Sequence, residues 1–117
     1  MNRIMLHSKI HRARITETRL DYAGSIALDP ALMKAAGLLP FEKVLVANLS
    51  NGSRIETYCI EGRAGSGEVC LNGAAARLGE VNDLVIVMAF AVTSAEEAAT
   101  DWQPCVVHVD SKNRPLD

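Results

Sequence analysis

The dipeptide Asn51-Gly52 constrains this chain more than any other feature. Both residue types tolerate positive φ, which a tight hairpin turn demands. The apolar, β-branched stretch 43–49 precedes the pair and the alternating stretch 54–60 follows it. Two antiparallel strands are therefore expected on either side of the turn. On the returning strand Arg54, Glu56, Tyr58 and Ile60 share one face, and Ile55, Thr57 and Cys59 share the other.

The rest of the chain has the same short rhythm. Segment 3–16 mixes apolar and basic residues and alternates in part with period 2, as a half-buried strand does. Residues 25–28 form a short strand. Asp29 then caps a helix over 31–36, with Pro30 at its first position and Gly37 closing it. Residues 68–71 form another strand after the glycine-bearing turn 62–67. Asn72 is expected to cap a helical turn that Gly79 stops. A long buried strand covers 83–92, Ser94 with Glu97 matches a capping box, and 105–109 is a last strand. The polar tail 110–117 reads as loose. Six or seven short strands with brief helical turns point to one small β-barrel, and such barrels often assemble into oligomers.

Composition narrows the function classes. At 117 residues the chain holds one domain, 1–117. A net charge of −2 and 4% aromatics argue against a nucleic-acid partner. No apolar run reaches the ~20 residues that span a bilayer, and the basic N-terminus has no signal-like apolar core. A cytoplasmic location, with no membrane partner, is the default expectation. Cys59, Cys70 and Cys105 have no paired spacing, and each reads as a small buried core residue. His7 and His11 lack metal-ligand spacing, so no metal is expected.

Several sparse motifs occur in order: Lys9-x-His11-Arg12, Tyr22-x-Gly24-Ser25, Asn51-Gly52-x-Arg54-x-x-Thr57-Tyr58, Asn72-Gly73-Ala74-Ala75-Ala76, residues 83–87 as Asp-Leu-Val-Ile-Val, and Glu96-Glu97-Ala98 with Trp102-x-Pro104. This ordered set resembles the aspartate 1-decarboxylase family, pyruvoyl-dependent carboxy-lyases that make β-alanine for pantothenate synthesis. The resemblance spans nearly the whole chain. It implies a mainly β fold, a double-psi β-barrel with short helical turns. It also implies a homotetramer with active sites between subunits. Three positions depart from the pattern: Asp21, Ala23 and Ala47 stand where other residue types occur in some members. These bear on the rate of self-cleavage and on the need for a maturation factor.

What the family implies for individual residues is specific. The Gly24-Ser25 bond would break by attack of Ser25 Oγ on the Gly24 carbonyl, giving chains 1–24 and 25–117. A glycine at 24 suits this, since it adopts strained dihedrals and lets the nucleophile approach. Thr57 is the implied donor to the oxyanion. Ser25 would become the pyruvoyl group, the cofactor, which forms a Schiff base with L-aspartate in the role that pyridoxal phosphate plays elsewhere. Tyr58 is the implied proton donor. A dicarboxylate substrate calls for cations. Arg54 offers a bidentate fork and Lys9 a point charge. Arg54 and Tyr58 lie four residues apart, roughly 13 Å along a strand, which is far for one small ligand. Asn72, Gly73, Ala74 and Ala75 supply an amide side chain and backbone N–H groups.

Each residue also has a plainer reading. Tyr58 alone would be a packed barrel tyrosine, Arg54 a solvated surface charge, and Asn72-Gly73 a turn. Three alternatives stay open on sequence: an unprocessed barrel acting as a structural subunit, a binding module, and a pyruvoyl decarboxylase for another amino acid.

Overall fold

The computed structural model describes residues 1–116. It contains β1 (Asn2–Arg14), β2 (Glu17–Arg19), β3 (Ser25–Leu28), helix α1 (Pro30–Ala36), β4 (Lys43–Asn48) and β5 (Arg54–Glu61). After these come β6 (Val69–Asn72), a 3-10 turn (Gly73–Leu78), β7 (Leu84–Ser94), helix α2 (Ala95–Ala98) and β8 (Cys105–His108). The strand order across the sheet is β2-β6-β3-β5-β4-β7-β1-β8.

That order forces the sheet to curl. β1 and β2 are separated in the chain by Ile15 and Thr16 alone, yet β2 is one edge of the sheet and β1 is next to the other. Two residues cannot bridge a flat sheet of this width. Ile15 N–H donates to the Asp83 carbonyl at 2.9 Å and Thr16 N–H to the Val69 carbonyl at 2.8 Å, which stitches the two ends together. The fold is mainly β and barrel-like.

The inward face follows from the register. Ile10 pairs with Val87, Val46 with Val87 and Ile55, and Ile26 with Cys59 and Leu71. All but the half-buried Ile55 are fully buried and form one cluster, which α1 covers with Leu32, Met33 and Ala36. The alternate residues face outward, and this surface carries the polar candidates.

Local chemistry explains the helix ends. Asp29 accepts from Ala31 N–H at 2.9 Å, and Gly37 closes α1 at φ 69°. At the hairpin Gly52 takes positive φ (78°) while Asn51 does not, so one residue carries the demand that both could have met. Ser94 accepts from Glu97 N–H at 3.1 Å, but the Glu97 carboxylate accepts from the Thr93 hydroxyl at 2.7 Å instead of closing a full capping box.

Four expectations are corrected. The described residues form eight strands, β2 being a three-residue strand too short to show a period. Gly79 stops the 3-10 turn in extended backbone (φ −161°); its role is space, since a Cβ there would lie 2.8 Å from Ile15 and Leu71. Cys105 is exposed. The tail is anchored: Asn113 is buried, its amide donates to the carbonyls of Arg14 at 2.7 Å and Gly67 at 2.9 Å, and Val109 bridges to Pro115. Asn113 is polar, but its bonds replace those it would make to water. Asp117 lies outside the described residues.

Candidate active site

β3 begins at Ser25, which pairs with Asn72 at the end of antiparallel β6. Paired residues project to one face, and Asn72 Nδ2 donates to Ser25 Oγ at 3.0 Å. Both side chains are buried. The other end of the amide is occupied too: Asn72 Oδ1 accepts from the Cys70 thiol at 3.2 Å. The Ser25 hydroxyl is directed at the Ala23 carbonyl, 3.4 Å away. Asn72 was expected to cap the following turn. It makes no capping bond there, because its side chain is turned back to Ser25.

The opposite neighbour of β3 is β5, in parallel register with Ile26 against Cys59. Carried back along both strands, this register sets Ser25 level with Tyr58 and Gly24 level with Thr57. Tyr58 is thus on the outward face with Ser25 and Asn72, while Thr57 alternates to the inward side and is half-buried. The Tyr58 ring is 37% exposed and tilts 38° against Phe41, centroids 6.2 Å apart. Phe41 holds φ 72°, a costly conformation for a bulky residue. Its N–H donates to the Cys59 carbonyl at 2.7 Å, and Cys59 N–H donates to the Glu42 carbonyl at 3.0 Å. Glu42 in turn accepts from Leu39 N–H and bonds His7 Nε2 at 2.7 Å.

Gly73 must be glycine. Its φ is 66°, and a Cβ there would lie 2.7 Å from Gly24 Cα and 2.9 Å from both Gly24 N and Tyr22 O. The missing side chain lets the 3-10 turn lie against the Gly24-Ser25 bond. Gly24 itself is not in the left-handed region, and a Cβ on it would meet nothing within 4 Å. The expectation that Gly24 is needed for strained dihedrals is therefore not met; the demand falls on Gly73. Beyond it Ala74 is exposed and Ala75 buried.

The cations lie farther out. Arg54, Glu56 and Tyr58 share the outward face, as the alternation required, and all are exposed. Lys9 pairs with Met88, Met88 with Leu45, and Leu45 with Glu56. Lys9 is on the same face but three strand spacings away, about 14 Å along the sheet. His11 stands edge-on to His108 with centroids 5.6 Å apart. Burial, and then the charges of Lys9, His108 and Arg12, hold its pKa below the usual value. Among the described residues no group of three or more His, Cys, Asp or Glu side chains is arranged to hold a metal.

Within one chain Asn72 bonds Ser25 and Gly73 lies against Gly24, while Thr57 and Tyr58 are level with this dipeptide by register on the neighbouring strand. The sequence model of the aspartate decarboxylase family matches residues 1–116. The chain belongs to the aspartate decarboxylase family. A relative named aspartate 1-decarboxylase from Dehalococcoides mccartyi is 56% identical over 110 residues, covering 94% of this chain and 88% of the relative. Another of that name, from Thermoanaerobacter pseudethanolicus, is 50% identical over 117 residues, covering 100% and 99%. A third, from Syntrophobacter fumaroxidans, is 54% identical over 116 residues, covering 99% and 93%.

Two residues in contact with this candidate site were not singled out in the sequence. Cys70 read as a core cysteine, although period 2 in Val69-Cys70-Leu71-Asn72 puts it on the Asn72 face. Phe41 gave no signal, because it meets Tyr58 through tertiary packing.

Proposed function

We propose that this chain cleaves its own Gly24-Ser25 bond and then decarboxylates L-aspartate to β-alanine and CO2, supplying pantothenate and coenzyme A synthesis. The observation that carries the reading is the location of this bond in a chain of this family. Ser25 pairs with Asn72 at the end of β6, Gly73 at the head of the 3-10 turn lies against Gly24, and the β3–β5 register, carried back from Ile26 and Cys59, leads to Thr57-Tyr58.

Cleavage uses the chain's own groups. Asn72 holds Ser25 Oγ while it attacks the Gly24 carbonyl carbon. The C–O bond forms, the C–N bond breaks, and the hydroxyl proton ends on the Ser25 nitrogen. Thr57, level with Gly24, is the donor to the developing oxyanion. Loss of the Ser25 α-proton expels the Gly24 carboxylate. Water then replaces the nitrogen as ammonia, leaving a ketone at the head of chain 25–117. The residues fit this group: the Asn72 amide supplies a donor at Ser25, and the missing Gly73 side chain lets the turn lie close to Gly24. The pyruvoyl group supplies an electron sink for loss of the substrate's α-carboxylate.

The other residues bind and protonate. Tyr58 is the acid that delivers a proton to the substrate's Cα. The N–H groups over Gly73–Ala75 and the Asn72 amide are the groups that would bind the substrate beside Ser25. Arg54 and Lys9 hold the two carboxylates. Within one copy they are separated along the sheet, so Lys9 would reach the site from a neighbouring copy. An apolar groove of about 350 Å3, lined by Ile4, Val44, Leu45, Phe90 and Val92 with Lys43 and Glu56, supports contact between copies, and the assembly we propose is a homotetramer.

Intact mass measurement tests the reading. Two chains split after Gly24 are expected, and Ser25→Ala should stay whole and inactive. Borohydride with aspartate should add mass to chain 25–117 alone. A split that needs cell extract would identify a maturation factor, whereas a wild-type chain that stays whole in every condition would overturn the proposal.

A further inference from the structure

We propose that Cys70 is a positioning residue for self-cleavage, whose thiol locks the Asn72 amide so that an N–H, and not a carbonyl, faces the Ser25 hydroxyl. This rests on the reading of Gly24-Ser25 as the scissile bond.

The three side chains form a buried line on one face of β6 and β3. Cys70 is 1% exposed, Asn72 2% and Ser25 1%. Cys70 Sγ donates to Asn72 Oδ1 at 3.2 Å, and Asn72 Nδ2 donates to Ser25 Oγ at 3.0 Å. A carboxamide is nearly symmetric in shape, so packing alone does not choose between its two orientations. Its neighbours do. A thiol is a donor and only a weak acceptor, so it favours the amide oxygen. Burial, and then the charge of Glu17, push the Cys70 pKa up to about 11, which keeps the proton on sulfur. The competing acceptor, the Leu71 carbonyl, is farther at 3.9 Å.

The orientation matters to the step. The hydroxyl proton departs for the Ser25 nitrogen, and until the C–O bond forms and the charge passes to the Gly24 carbonyl oxygen, alkoxide character rests on Ser25 Oγ. An N–H aimed at that oxygen supports this charge. A flipped amide would present a lone pair, take the serine proton as a hydrogen bond, and oppose the charge.

The test is the cleavage time course of purified precursor, followed by intact mass, for Cys70→Ala and Cys70→Ser. Alanine removes the donor, and serine keeps one of similar size. Slowing of about tenfold is expected for alanine, in line with one buried hydrogen bond, and a rate within about twofold of wild type for serine. The double variant C70A/N72A should cleave no more slowly than Asn72→Ala, because Cys70 acts through Asn72. Melting midpoints of the precursors separate this from loss of structure. Should C70A fail to fold, Cys70→Thr and the serine variant carry the comparison, both being expected to split. Equal rates for wild type and C70A, or a serine variant as slow as alanine, would overturn the proposal alone. A wild-type chain that never splits overturns the reading of the bond and this proposal with it.

Discussion

Gly73 lies so close to Gly24 that a Cβ on Gly73 would stand 2.7 Å from Gly24 Cα. Backbone meets backbone there, so no side-chain rotation relieves the contact. Gly73→Ala should therefore push the scissile bond away from Asn72 and add the cost of left-handed backbone, about 1–2 kcal/mol. The expected outcome is a precursor that melts several degrees lower and splits much more slowly. Gly24→Ala has open space and should fold normally. Paired melting and mass measurements check both, and a G73A chain that splits at the wild-type rate would refute the contact argument.

Tyr58→Phe keeps the ring against Phe41 and removes only the phenol. Self-cleavage should proceed, because Ser25, Asn72 and Thr57 are untouched. Turnover of aspartate by the split protein should fall by about 10²–10⁴, the range for a lost general acid. Near-normal kcat would remove Tyr58 from that role.

How much of this was legible in the sequence follows the range of the forces involved. Asp29-Pro30 and Gly37 marked α1 because capping and left-handed closure are local effects. The face of β5 carrying Arg54 and Tyr58 was legible because strand alternation needs no partner. The Asn72 side chain was misread for the converse reason. Its local option, capping the next turn, lost to a partner 47 residues away, Ser25, which only the β3–β6 pairing brings near. Cys70 escaped notice because thiol burial looks the same with or without an acceptor. The separation of Lys9 from Arg54 depended on strand order, which no motif encodes.

Phe90 is 43% exposed, beside Val92 at 70% and Ile4 at 74%, on the face that also carries Lys9. If a second copy covers this patch, Phe90→Asp should bury an unpaired charge in the interface. The variant should shift to monomers by light scattering at micromolar concentration and lose turnover, since Lys9 would no longer reach a neighbouring site. A wild-type monomer that is fully active would contradict this.

Asp29 links stability to acid. Burial pushes its pKa up, but N–H groups of Ala31, Gly67, Gly65 and Ser66 outweigh this and hold it below the ordinary carboxylate value. A lowered folded pKa means the contribution is fully present above the unfolded value, near 4, and is lost as pH falls through the folded one. Asp29→Ala should cost about 2 kcal/mol at neutral pH through the lost cap and the orphaned Gly67 N–H. It should also flatten the fall in melting temperature below pH 4. An unchanged acid limb would show that other carboxylates govern it.

Asn113 ties the tail to the barrel from a buried left-handed position, φ 60°, which asparagine tolerates better than most residues. Its Oδ1 accepts from Arg14 N–H at 2.8 Å, and its Nδ2 donates to the carbonyls of Arg14 and Gly67. Gly67 N–H donates to Asp29, the cap of α1, so the tail braces the turn that holds this cap. Asn113→Ala removes three bonds and leaves the Arg14 N–H without its acceptor. A loss of about 2–3 kcal/mol is expected from unsatisfied buried groups. Asn113→Asp should restore the bond from Arg14 N–H but set a carboxylate oxygen against the two carbonyls, and so recover little. Chemical denaturation of the three proteins checks the order: wild type, then both variants well below it. A stability of N113A within 0.5 kcal/mol of wild type, the spread of neutral surface changes, would mean that the tail adds nothing to the barrel.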